Sequence, residues 1–198
     1  MLKAQQGTER TSLGFIKAVR TAFKFLVEDF SFTCVKEDVT FVRFESTTVF
    51  VNVYHGRASY ELNVEVGELA MTPENSFTLG EILHVVAAKE SLTYRPYQVT
   101  TSESVVKFIQ EIAHLVKEYA TPALIGDRDF FMRLSEIRVQ RSDDYLKKLH
   151  LNRIRTEVET AWHQKNYPRV VELYDSMLGD LTPAEAKRLA FAKKKCLS

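Results

Sequence analysis

Four short stretches between Ser31 and Val66 (SFTCV, TFVRFE, TVFVNVY and SYELNVEV) alternate apolar and polar side chains with a period of two. That period sends successive side chains to opposite faces of a pleated strand. The stretches are rich in β-branched and aromatic residues and are parted by polar turns, so a four-stranded antiparallel meander is expected. In the last of them Tyr60, Leu62, Val64 and Val66 alternate with Ser59, Glu61, Asn63 and Glu65, which predicts one dry face and one wet one. From Val49 to Tyr54 both faces carry apolar side chains, the mark of a more central strand. The His55-Gly56-Arg57 segment is the expected hairpin, with Gly56 supplying a positive φ.

Around the meander the period changes. Phe15, Ile16, Val19, Phe23, Leu26, Val27 and Phe30 recur at three- and four-residue steps behind Ser12 as N-cap, the pattern of one amphipathic helix. Thr78 with Glu81 forms a capping box, flanked by Phe77 and Ile82 at the staple positions, and Thr100 with Glu103 repeats the box. Helices are expected near 78–89 and 101–120, joined by an extended LTYRPYQV, because Pro96 disfavours the α region at Arg95. Pro122 and Gly126 then break the pattern. A charged helical stretch follows from about Asp129 to His150, with Phe130, Phe131, Leu134, Ile137, Tyr145, Leu146 and Leu149 as its apolar positions and a kink or break expected in RVQRSDDY. Helices near 152–165, 168–178 and 183–195 complete the chain, the last begun by Thr182, Pro183 and Glu185. The expected class is therefore α+β: N-terminal helix, four-stranded antiparallel meander, packed helices, then a mostly helical C-terminal region. A boundary near 126 divides an α+β domain (1–126) from a helical region (127–198).

The chain is 198 residues long, enough to bury a substantial core. Its 27 Lys and Arg against 26 Asp and Glu leave a net charge of +1, which removes the electrostatic argument for nucleic acid or an anionic membrane. Residues 127–198 are mildly basic, with 15 cations against 11 anions. Cys34 and Cys196 are the only cysteines and show no C-x-x-C spacing, so neither a disulfide framework nor a zinc knuckle is indicated. The polar start MLKAQQGTERTS is unlike a signal peptide, and no run of 18 apolar residues occurs. These features predict a soluble cytoplasmic protein.

Chemistry is sparse. The seven glycines are isolated, so no phosphate-cradling loop is expected. Glu111, His114 and Glu118 share a helix face, but a dinuclear carboxylate site needs two E-x-x-H motifs and one is present. Glu159 and His163 make a similar pair. Cys34 sits in a strand between Phe32 and Val35, the setting of an inert buried thiol. No catalytic residue, metal or cofactor is expected.

In WHQKNYPRVVELYDSMLGDLTPAEAKRL, Trp162, Asn166, Tyr167, Val170, Leu173, Tyr174, Leu178 and Pro183 stand at the aromatic, turn, small and proline positions of a tetratricopeptide repeat. Residues 154–193 thus resemble one and a half such helical units, with Lys165 where the family favours glycine at the tight turn. The order helix, FxF, VxxVRFES, VxVNVYHGRASYELNVEVG and FTLGEIL over residues 15–90 is similar to small uncharacterised bacterial domains, some of them immunity proteins encoded beside secreted toxins. That similarity implies a chain that neutralises a toxin by direct binding.

Tyr and Arg dominate interface hot spots. TYRPY places Tyr94, Arg95 and Tyr97 around Pro96, and the C-terminal hairpin carries Trp162, Tyr167, Arg169 and Tyr174. These seven are the candidate protein-binding residues, and the expected function is non-catalytic binding of a protein partner. The alternative is a nucleic-acid-associated regulator using Lys147, Lys148, His150, Arg153 and Arg155 with Lys187, Arg188, Lys193, Lys194 and Lys195.

Overall fold

The alternating stretches become β1 (Thr33–Asp38), β2 (Phe41–Glu45), β3 (Val49–His55) and β4 (Glu61–Glu68), each antiparallel to the next. The computed structural model describes residues 13–70, 75–86 and 88–197. The sheet is longer than four strands. β5 (Asn75–Thr78) pairs with β4 over Glu65–Glu68, and β6 (Tyr97–Gln98) pairs with the same edge of β4 at Glu61 and Leu62. Both additions come from segments too short for periodicity to register.

One face of the sheet is dry. Val42 and Phe44, Val51 and Val53, Leu62, Val64 and Val66, and Phe77 are all buried in one core with the helices. Those helices are α1 (Phe15–Ala22), α2 (Lys24–Phe30), α3 (Leu79–Val86), α4 (Ala88–Thr93), α5 (Ser102–Tyr119) and α6 (Thr121–Leu124). α1 lies against α5, contributing Phe15 and Val19 opposite Val105, Ile109, Ile112 and Val116. The expected wet face is half covered instead: Phe50 is wholly buried there, Asn52 is 9% exposed, and the Arg43 guanidinium sits 4.1 Å from the Phe50 ring.

Several local expectations shift. Ser12 lies outside the described residues, and Gly14 (φ 69°) occupies the N-cap of α1. The single N-terminal helix is two, parted at Phe23, and Val27 is left exposed. The positive φ expected at Gly56 belongs to Tyr60 (φ 55°), because the loop runs from Gly56 to Tyr60 and closes through Gly56 N to Glu61 O at 2.8 Å. The box before α5 is Thr101 with Ser104, one residue later than expected, while Thr78 with Glu81 begins α3 as read.

The rest of the chain is α7 (Arg128–His163), α8 (Tyr167–Asp175), a short 3-10 turn (Leu178–Asp180) and α9 (Pro183–Cys196). RVQRSDDY does not break α7. The helix contains no proline or glycine from 128 to 163, and polarity alone does not end a helix. Residues 139–150 are exposed, Tyr145, Leu146 and Leu149 among them.

The chain divides into two compact units at Arg138 and Val139, inside α7, and not near 126. Pro122 and Gly126 do interrupt the helices, but Phe130, Phe131 and Leu134 beyond them fill the core of the first unit. In the second unit Ile154, Val158, Ala161, Val170, Leu173, Tyr174, Met177, Leu189 and Ala192 form a separate core.

Candidate functional site

The TYRPY segment spends its tyrosines on packing. Tyr97 stacks on Phe108 of α5 with ring centroids 4.2 Å apart, and Tyr94 meets Tyr97 edge-on at 6.2 Å. Among the described residues the Tyr94 hydroxyl is buried without a hydrogen-bond partner, and burial pushes its phenol up to about 12. Burial and the neighbouring Glu111 raise Tyr97 as well. Arg95 is exposed and its Nη1 donates to the Tyr94 carbonyl at 2.6 Å, so the outward part of the loop is Arg95 with Pro96.

The C-terminal hairpin sorts its candidates differently. α7 ends in a Schellman turn: Asn166 N donates to Ala161 O at 2.9 Å, Lys165 N donates to Trp162 O at 3.0 Å, and Lys165 takes φ 57°. Asn166 then caps α8 through Arg169 N at 3.2 Å. Val170, Leu173 and Tyr174 are buried on the α8 face toward the core, and Tyr174 is only 1% exposed. The Arg169 guanidinium is engaged by Glu157 at 3.0 Å and Glu172 at 2.8 Å. Of the four candidates, only Trp162 and Tyr167 remain part-exposed rings.

Those two rings have a third partner, Phe191 of α9, which is 45% exposed. Trp162 and Tyr167 lie 5.9 Å apart at 81°, Trp162 and Phe191 5.6 Å at 51°, and Tyr167 and Phe191 5.9 Å at 72°. The Arg188 guanidinium sits over Trp162 at 5.4 Å, and Lys195 Nζ over Phe191 at 5.7 Å. Sequence reading missed Phe191. Its signal was present in KRLAFAKKK, where Lys187, Arg188, Lys194 and Lys195 stand four and three residues to either side of it.

The candidates for chemistry are scattered. His114 Nε2 contacts Glu118 at 3.1 Å, while Glu111 lies 4.0 Å from Lys107, all on the exposed side of α5. Among the described residues, no group of three or more His, Cys, Asp or Glu could hold a metal ion. Burial, with Glu37 next, pushes the Cys34 thiol up, away from the thiolate a nucleophile needs. On the half-covered face of the sheet, Tyr54 Oη donates to Glu65 Oε1 at 3.0 Å and Ser76 Oγ donates to Oε2 at 3.2 Å. Burial and then the Glu65 charge hold the Tyr54 phenol well above its usual value. The Asn52 Oδ1 nearby is buried without a partner among the described residues.

Several of the basic residues are also committed. Arg155 binds Glu185 at 2.6 Å, Lys147 binds Asp180 at 2.7 Å, and Lys193 binds Asp175 at 2.9 Å.

Fold and surface together define an α+β unit joined in sequence to a helical unit that bears a cation-flanked aromatic patch. Among the described residues no helix is long and apolar enough to cross a membrane. No protein-family model, curated protein or solved structure matches the chain.

Proposed function

We propose that the chain is a non-catalytic protein-binding module whose contact surface is the Trp162, Tyr167 and Phe191 cluster. The observation that carries this reading is the cluster itself: three large rings in mutual contact, part-exposed, with an arginine laid over the tryptophan. Aromatic and arginine side chains of this kind anchor interfaces, because they offer large contact area at low conformational cost. The similarity of residues 15–90 to toxin-immunity domains makes a toxin the first partner to try.

Capture from the source cell with tagged wild-type chain, Phe191→Ala and Arg95→Ala tests the reading. A stoichiometric protein partner retained by wild type and Arg95→Ala but lost by Phe191→Ala is the expected result. Absence of any stoichiometric partner, or equal capture by Phe191→Ala, overturns it.

A further inference from the structure

The geometry points to an acidic protein segment carrying an apolar side chain as the ligand of the Trp162, Tyr167 and Phe191 patch. This rests on the protein-binding reading and adds the chemistry of the partner.

On a helix, positions three and four residues away are the nearest surface neighbours. Around Phe191 all four of those positions are cationic: Lys187, Arg188, Lys194 and Lys195. Residues 186–198 contain no Asp or Glu at all, so the stretch of α9 that bears the ring carries one sign of charge. Part of that charge complements the negative end of the helix dipole, which amounts to roughly half a charge, and Lys187 and Lys195 stand exposed on either side of the ring.

Arg188 does have an internal partner in Glu159. The Arg188–Glu159 pair is part-exposed, however, and a pair of that kind yields readily to an incoming carboxylate. Apolar rings framed by cations fit a segment of the opposite pattern, an apolar anchor framed by carboxylates.

Nucleic acid satisfies the charge but not the rings. Base stacking wants a flat, open ring face. Here Trp162 and Phe191 each carry a cation over the ring, and the three rings meet one another at 51° to 81°.

Trp162 is the only tryptophan of the chain, so its fluorescence reports this patch directly. The test titrates the full chain with four probes. They are a synthetic peptide of Glu and Asp around one Phe, the same peptide with Ala for Phe, the same peptide with Lys for the acids, and an oligothymidylate. The expected result is a shift in Trp162 emission with the acidic Phe peptide, weakened about tenfold between about 50 and about 300 mM salt and about tenfold by Ala for Phe. Lys187→Glu with Lys195→Glu, both exposed positions, abolishes the response while circular dichroism stays unchanged.

No response to the acidic Phe peptide, an equal response to the Lys or Ala peptide, or a response to the oligothymidylate alone overturns the proposal. The two readings fail separately. A native partner lost by Phe191→Ala but kept by the double charge reversal removes the acidic ligand and leaves the protein-binding module standing.

Discussion

Arg138 donates from Nε to Oε1 of Glu81 at 2.6 Å, while the other oxygen of Glu81 accepts from Thr78 N at 2.8 Å and closes the capping box of α3. The same guanidinium donates from Nη2 to the carbonyl of Ser76, two residues before the capping threonine. The arrangement recurs in the second unit. Arg155 donates from Nε to Glu185 Oε1 at 2.6 Å, Glu185 Oε2 accepts from Thr182 N at 2.7 Å, and Arg155 Nη2 donates to the Asp180 carbonyl, again two residues before the threonine. Each unit thus uses one arginine of α7 to hold a T-x-x-E helix start, and one carboxylate both caps and pairs.

Glu81→Ala removes both functions at once. Loss of the cap costs about 1 kcal/mol, and loss of a part-exposed pair about 1 kcal/mol more, so unfolding in urea should show a deficit of about 2 kcal/mol. Arg138→Met keeps an apolar stem over Phe77, whose ring lies 4.0 Å from the guanidinium, and should cost less. The double variant should be more stable than the sum of the two predicts. Strict additivity would show that the two side chains act independently.

Acid should loosen both starts. The Arg155 hydrogen bond, ahead of the other causes, holds Glu185 down at about 2 against an ordinary 4.5. Glu81 is also lowered: burial opposes the shift, and the bonds from Arg138 and Thr78 outweigh it. A carboxyl held below its unfolded value stabilises fully above the unfolded pKa, and that stability is lost as pH falls through the folded one. For Glu185 the window runs from about 4.5 down to about 2. Trp162 fluorescence during acid titration reads the second unit, and Glu185→Gln should be less stable at neutral pH with a flatter slope below about 4.5. An unchanged slope would remove Glu185 from the account.

What could be read from sequence divides by physical range. The period-two runs and the boxes at Thr78 and Thr182 are local patterns, and each appears where read. β5 and β6 are pairings imposed by β4, and Tyr97–Gln98 carries no strand signal of its own. Continuity of α7 through RVQRSDDY was hidden because polarity was weighed where only a helix breaker matters. At the candidate site, Trp162 and Tyr167 were legible as aromatics, but their exposure was not, since Tyr174 two turns on reads the same and is buried. Phe191 became visible only when α9 was seen to bring it against Trp162.

Gly67 is fixed by close approach. A Cβ there would stand 2.5 Å from the Asn75 carbonyl oxygen and 2.5 Å from Phe50 Cζ, across the β4 and β5 pairing. Gly67→Ala should destabilise by about 3 kcal/mol, as overpacking against backbone does. Adding Phe50→Leu should recover part of the loss, because it clears the ring and leaves the carbonyl. Thermal unfolding of the single and double variants decides this, and no recovery would place the whole strain on Asn75.

Tyr94→Phe separates packing from recognition. The hydroxyl is buried with no partner among the described residues, so its removal relieves a desolvated polar group and should raise stability by about 1 kcal/mol. The ring contact with Tyr97 is preserved. Equilibrium unfolding of Tyr94→Phe checks the sign, and a loss of stability would mean that the hydroxyl is bonded in solution.

Lys165 takes φ 57° at the end of α7, the residue after which Asn166 N reaches back to Ala161 O. Left-handed backbone costs a residue with a Cβ about 1 kcal/mol and glycine almost nothing, although glycine has more freedom to lose on folding. The balance favours Lys165→Gly by about 0.5 kcal/mol, with Lys165→Asn between the two and Lys165→Val well below wild type. Thermal unfolding followed by Trp162 fluorescence gives the order, and a destabilised Lys165→Gly with an intact Lys165→Val would show that this turn is not left-handed in solution.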